Sequence, residues 1–258
     1  MLKGLYTAYT GLVNEQNRMD VMTNNLANAT TVGFKKEGTT SQSFDSILAY
    51  KLKDVSVGLG RAENIGVNTP GVKIGENYVD YTQGSYRVTD NTFDIAIEGD
   101  GFFAIEFTNK AGETSTKYTR AGAFTLDSQG YLVTNEGDYV LDTNSRRIRL
   151  NPLYDADIDT DGTINQNGTR VAQIQITDFE DYNYLERYGE TYFQPLEGAK
   201  TTTASAKAHS GCLEMANVQV VSEMVNMIAI TRQYESNQKI MQTYDRTLDI
   251  AVNELGKV

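Results

Sequence analysis

The chain has no tryptophan, one cysteine, one histidine and three prolines in 258 residues, and each scarcity excludes something. Cys212 has no partner in the chain, so no internal disulfide can hold the fold, and the redox compartment stays open. His209 stands alone, which removes a histidine-based metal cluster within one chain; any Ser-His-Asp or Cys-His arrangement would depend on this one residue. Its setting, Ala208-His209-Ser210-Gly211, reads as a hinge with a surface histidine. No run approaches the roughly 20 apolar residues needed to cross a bilayer, so no membrane insertion is expected. The first residues are broken by Thr7, Thr10, Asn14, Glu15 and Gln16 and do not read as a cleavable signal peptide. Basic residues are also short: 23 against 34 acidic, a formal charge of −11. Such a chain repels phosphate backbones, and nucleic acid is not an expected partner.

Glycine and proline are unevenly placed: 19 of the 22 glycines, and Pro70, Pro152 and Pro195, fall between Gly33 and Gly211. The ends therefore read as helical and the middle as broken. A seven-residue column runs through Leu5, Leu12, Met19 and Leu26, flanked by Leu2, Tyr9, Val13 and Met22, as on the apolar stripe of a helix stopping near Gly33. A longer column repeats at Leu213, Val220, Met227, Tyr234, Met241, Leu248 and Leu255. A second column, three residues on, holds Ala216, Glu223, Ile230, Asn237, Tyr244 and Ala251. This is a heptad seam. As one helix, 213–255 would extend about 64 Å at 1.5 Å per residue, so it must find partners along its length. The seam fits an intramolecular pair of terminal helices or the same helix from other copies. Asn237 would fix register or face water.

Residues 34–75 are polar and read as an extended connector around Phe44 to Tyr50. Short strands are expected at Phe93 to Glu98, Phe102 to Phe107, Tyr118 to Leu126, Tyr139 to Leu141, Ile148 to Leu150 and Val171 to Thr177. Asp127-Ser128-Gln129-Gly130 and Asn135-Glu136-Gly137 supply turns. The expected fold class is α+β, with long N- and C-terminal amphipathic helices forming a coiled-coil layer and a central β-rich domain inserted between them. The expected domains are an N-terminal helix at 1–33, the connector at 34–75, the β-rich domain at 76–207 and a C-terminal helix at 211–258. Cutting after Gly211 should then leave a soluble β domain.

Reactive chemistry is thin, and no cofactor or catalytic residue is assigned. Asp157-Ile158-Asp159-Thr160-Asp161-Gly162-Thr163-Ile164 copies the first eight positions of a calcium-binding loop, but Gly168 stands where a bidentate glutamate should close the shell. An acidic turn is the plainer reading. Glu98-Gly99-Asp100-Gly101 lacks the third glycine and the helix of a phosphate loop, and reads as a tight turn. Three classes stay in view: a polymer subunit, a calcium-binding interaction module and a carboxylate hydrolase. A long sticky seam favours the polymer.

Asn24-Asn25-Leu26-Ala27-Asn28-Ala29-Thr30-Thr31-Val32-Gly33-Phe34-Lys35 resembles the N-terminal signature of bacterial flagellar rod and hook proteins. The resemblance continues through Asp94-Ile95-Ala96-Ile97-Glu98-Gly99-Asp100-Gly101-Phe102-Phe103 and Tyr118-Thr119-Arg120-Ala121-Gly122-Ala123-Phe124. It closes with Gly211-Cys212-Leu213-Glu214-Met215-Ala216-Asn217-Val218, Met224-Val225-Asn226-Met227-Ile228 and Arg232-Gln233-Tyr234-Glu235-Ser236-Asn237. Nearly the whole chain is covered, and the family is identified as the flagellar basal-body rod proteins, of the distal-rod or proximal-rod kind. The resemblance implies a non-enzymatic structural subunit of a hollow shaft that carries motor torque to the hook. Its expected partners are copies of itself, other rod and hook proteins, the rod-surrounding rings and the flagellar type III export apparatus. That route would bring it from the cytoplasm to the basal body without a cleaved signal. Phe44 and Leu48 resemble the short motif that engages the export gate, or belong to a buried connector strand. A hook or hook-junction subunit is the alternative within the family; its members vary freely at Asp155 to Asp161.

Overall fold

The computed structural model describes residues 2–45, 47–51, 63–69, 71–110 and 112–253, and these fall into two units. The first comprises residues 1–26, 37–80 and 219–258. It contains helix α1 (Leu2–Ala27), strands β1 (Glu37–Ser43), β2 (Ile47–Lys51), β3 (Glu63–Asn68) and β4 (Val72–Val79), and helix α2 (Val220–Asn253). β1 pairs antiparallel with β4, with an irregularity between Thr39 and Ser41, and β2 pairs antiparallel with β3. No side chain of β1 or β4 is buried, and exchange of backbone hydrogen bonds carries the pair. α1 and α2 run antiparallel where α1 lacks side chains: a Cβ at Gly4 would collide with Tyr244, and one at Gly11 would come within 3.0 Å of Asn237 Nδ2.

The second unit comprises residues 27–36 and 81–218. Its strands are β5 (Tyr86–Val88), β6 (Ile95–Glu98), β7 (Phe102–Thr108), β8 (Thr114–Thr119), β9 (Phe124–Leu126), β10 (Leu132–Thr134) and β11 (Tyr139–Val140). They continue with β12 (Ala156–Ile158), β13 (Thr163–Gln166), β14 (Thr169–Gln173), β15 (Ile176–Phe179), β16 (Leu185–Tyr188) and β17 (Tyr192–Pro195). The last are β18 (Thr201–Thr203), β19 (Lys207–Ser210) and β20 (Cys212–Glu214). The largest sheet runs β16-β17-β8-β7-β11-β10-β9, with β15 joining β18 to β7. Smaller ladders are β12-β13-β14, β19-β6 and β20-β5.

Successive residues of a strand point to opposite faces, and β7 uses both. Phe103 enters an aliphatic core with Ile95, Ile97, Phe124, Leu132, Val140, Ile164 and Ala208. Its neighbour Phe102 faces an aromatic cluster, with ring centroids 5.4 Å from Phe193, 5.9 Å from Tyr81 and Tyr182, and 6.2 Å from Phe179. A strand covered on both faces reads as a continuous apolar run, which explains Phe102-Phe103-Ala104-Ile105.

The expected fold class is corrected by these elements. The described residues are β-rich, with twenty strands against two α-helices, and no long terminal coiled-coil layer flanks a central β domain. Strands reach into the polar stretch before residue 75, where side-chain pattern gives no warning of backbone pairing. The C-terminal helix starts at Val220, because Leu213 and Glu214 lie in β20, paired with β5. Seven-residue spacing measures which side chains share a stripe and not what covers the stripe. Along α2 only Glu223 and Ile230 are buried. Two expected strands are also divided. Tyr118 to Leu126 breaks at Arg120–Ala123, where Gly122 passes against Ile95 O, and Val171 to Thr177 breaks between β14 and β15.

Candidate functional site, a buried ionic clasp

α1 ends at Ala27, and the chain turns through Asn28, whose carbonyl accepts from Thr31 N at 3.1 Å and whose Oδ1 accepts from the Thr31 hydroxyl at 3.1 Å. Gly33 follows with φ of +69°, in the left-handed region that side chains disfavour. Glycine is required for space as well, since a Cβ there would collide with the backbone between Arg120 and Ala121. That turn delivers Phe34 and Lys35 into the second unit, both 1% exposed. The Arg187 guanidinium lies 4.3 Å from the Phe34 ring centroid, and its Nη2 donates to Lys35 O at 2.8 Å.

Lys35 Nζ donates to Glu214 Oε1 at 2.7 Å and to Thr82 O at 2.8 Å. Gly84 N donates to the same carboxylate oxygen at 2.9 Å, and Gly33 N to Glu214 O at 2.8 Å. Across the carboxylate, Arg120 Nη1 lies 3.4 Å from Oε2, while Nη2 donates to Gly99 O at 2.9 Å. The guanidinium sits 5.2 Å from the Phe102 ring centroid. Gly99 and Gly101, with φ of +100° and +137°, form the turn between β6 and β7 that presents this carbonyl. Asn217 accepts from Lys36 N at 2.7 Å and donates to Thr82 O at 3.1 Å. One node thus joins the sequence signatures: Gly33, Phe34 and Lys35 from the first, Gly99 to Phe103 and Arg120 from the middle, Glu214 and Asn217 from the last.

The two cations and the carboxylate are at most 2% exposed. Removing one partner of a buried ion pair costs about 3–5 kcal/mol, because the others stay buried. The arrangement is suited to fixing chain segments. Among the described residues no three histidine, cysteine, aspartate or glutamate side chains gather as a metal site. The acidic stretch at Asp159–Gly162 is the turn of the β12–β13 hairpin: Gly162 N donates to Asp159 O at 2.9 Å, and Asn165 Nδ2 donates to Asp159 Oδ2 at 2.8 Å. His209 on β19 pairs with Glu98 across the ladder at 2.7 Å, both side chains well exposed, and this hydrogen bond holds the Glu98 carboxyl below its usual range.

The seam positions are spread over both units. Leu5, Leu12, Met19 and Leu26 on α1 and Met227, Tyr234, Met241 and Leu248 on α2 are half-buried, and Val220 is exposed. Leu213 is buried in β20 of the second unit, and Leu255 lies outside the described residues. Asn25 is buried, Asn237 half-buried under Gly11, and Arg232 exposed. Phe44 is exposed beside the Lys73 ammonium, 6.0 Å from its ring centroid, and the Leu48 side chain lies outside the described residues. Sequence reasoning missed the ion node: Lys35, Arg120 and Glu214 were visible only as charged letters inside otherwise apolar or glycine-rich signatures. On α2, Val221, Met224, Val225 and Ile228 are left exposed near its start.

Three family models match the chain: "Flagella basal body rod protein" over residues 5–35, "Flagellar hook protein FlgE/F/G D1 domain" over 96–177 and "Flagellar basal body rod FlgEFG protein C-terminal" over 209–254. The flagellar basal-body rod protein FlgG of Bacillus subtilis is 34% identical over 274 residues, covering 98% of this chain and 99% of that protein. The flagellar hook-basal body complex protein FlhO of the same organism is 33% identical, with all of both chains covered. The flagellar basal-body rod protein FlgF of Caulobacter vibrioides is 32% identical, again across both full lengths. With its signatures joined at one buried node and its full length matched by rod proteins, the chain belongs to the flagellar basal-body rod protein family.

Proposed function

We infer that the protein is a structural subunit of the flagellar rod, without enzymatic activity, which joins copies of itself and other basal-body proteins in the shaft that carries torque to the hook. The observation that carries this reading is the exposed apolar row Val221, Met224, Val225 and Ile228 on α2, up to 77% exposed at Val221, in a chain whose relatives are named as rod proteins. Water-exposed valine, methionine and isoleucine on one helix are the surface a neighbouring subunit would cover. The half-buried columns Leu5, Leu12, Met19, Leu26 and Met227, Tyr234, Met241, Leu248 add apolar area for the same neighbours. The buried clasp keeps the second unit rigid under load. The subunit reaches the basal body through the flagellar export apparatus, with Phe44 and Leu48 as the gate-engaging pair, and the surrounding rings meet it there.

The experiment is complementation of a strain deleted for this gene with Val221→Asp/Val225→Asp. Both side chains are exposed, so the purified variant should keep its circular dichroism and melting temperature. Basal bodies viewed by electron microscopy should lack a complete rod. Complete basal bodies and normal swimming with the variant would overturn the reading. Phe44→Ala should reduce secretion of the folded-competent subunit, and unchanged secretion would remove the export role of that residue.

A further inference from the structure

The second unit is built from two stretches, 27–36 and 81–218, and residues 207–217 reach three separate parts of it: β6, β5 and the amino-terminal stretch. β19 is the ladder partner of β6, in register from Lys207↔Glu98 to Ser210↔Ile95, and among the described strands β6 has no other ladder neighbour. β6 carries Ile95, Ala96 and Ile97, all fully buried, and Ala208 is inserted beside them in the aliphatic core. β20 is likewise the neighbour of β5. Glu214 and Asn217 then capture the amino-terminal stretch, through Gly33 N, the Lys35 ammonium and Lys36 N. Lys35 and Glu214 are 179 positions apart.

We propose that residues 207–217 are a closing latch: the second unit completes its fold in one late step, when this segment docks, and Glu214 decides whether it docks. The physical reason is charge. Lys35 and Arg120 are both cationic and both buried by the finished fold. Before Glu214 arrives, burying them together would desolvate two like charges without the carboxylate they share, so the site stays open and hydrated. Contacts of such long sequence separation also form late, because the loop entropy must be met before they stabilise anything. A strand as apolar as β6 meanwhile lacks its ladder partner. A chain released amino end first therefore cannot close this unit until most of it has emerged, whatever route releases it.

The test is pulsed hydrogen exchange during refolding of the full-length protein, read by mass spectrometry. Amides of Gly33, Lys36, 86–88 and 96–98 should gain protection in the same phase as 207–214, after the β7–β8 hairpin. Glu214→Gln should slow that phase roughly tenfold and leave the hairpin phase unchanged. Asn217→Ala, a milder loss at a partly exposed position, should slow it less and remain folded. Glu235→Gln, on the exposed side of α2, should change nothing. Protection of 96–98 ahead of 207–210 would overturn the proposal, as would a Glu214→Gln protein that refolds at the parent rate. Should Glu214→Gln fail to fold, the order of protection in the parent and in Asn217→Ala decides the matter.

Discussion

Asn25 and Glu37 exchange two hydrogen bonds: the asparagine Nδ2 donates to Glu37 O at 2.7 Å, and Glu37 N donates back to Oδ1 at 2.9 Å. The side-chain amide copies what a neighbouring strand would offer, and it fixes the first residue of β1 within the first unit. Asn25 is 1% exposed, so water cannot replace either bond. Asn25→Ala should lose about 1–3 kcal/mol for each stranded backbone group. Asn25→Asp should be at least as damaging at neutral pH, because an oxygen then faces the Glu37 carbonyl. Urea denaturation checks both, and midpoints equal to the parent's would show the clamp to be dispensable.

Gly33 combines a left-handed backbone with contact against the Arg120–Ala121 peptide, whereas Gly137 has φ of +95° with open space where a side chain would stand. The pair separates two costs. Gly137→Ala should carry only the conformational cost, about 1 kcal/mol. Gly33→Ala adds overpacking against backbone and should lose about 3 kcal/mol or more. Thermal melts of the two variants would show the difference, and equal losses would mean the turn relaxes around the new methyl group.

Lys117 is 2% exposed, its ammonium lying 4.4 Å from the Phe107 ring centroid and 2.6 Å from that of Tyr188. Burial pushes its pKa below the usual lysine value, with Asp138 pulling the other way. The unfolded chain then binds more protons between the lowered native value and about 10.4, so this residue destabilises below that window and is relieved as pH rises through it. Tyr182 and Tyr192 act oppositely: burial raises both phenols, so their contribution is present below about pH 10 and is lost as pH climbs beyond it. Lys117→Met should be about 1 kcal/mol more stable than the parent at pH 7. The gap should narrow toward pH 10. Denaturation at several pH values measures it; a gap independent of pH would show that the lysine keeps its ordinary titration.

Much of this was readable in the letters, and the exceptions have physical causes. Glycine and proline placement located the strand-rich middle, and β7 and the Asp127–Gly130 turn follow from local apolar runs and turn residues. The long terminal seam misled because periodicity carries no information on covering: Leu213 fits the column as well as Met227 does, yet one is in a strand and the other in a helix. β1 was hidden because a polar strand held by backbone bonds to β4 leaves no alternation of apolar residues. The ion node was hidden for a different reason. Lys35, Arg120 and Glu214 each look like a solvated charge in their own segment, and only the fold brings them within hydrogen-bond reach.

That hidden node changes where the chain can be cut. Ending it after Gly211 looks safe from sequence, because the apolar column begins just beyond. The second unit extends to Val218, however, so this cut removes β20, Glu214 and Asn217 and leaves Lys35 and Arg120 facing each other without the carboxylate. Breaking such a buried set costs about 3–5 kcal/mol, a large part of the roughly 5–15 kcal/mol that holds an ordinary domain folded. A chain ending at 218 keeps the set whole. Limited proteolysis and near-ultraviolet circular dichroism should find the second unit folded in the 218 form and open or aggregated in the 211 form. Matching protease resistance in the two would mean that β19 alone suffices to close the unit, and that Glu214 adds nothing to its stability.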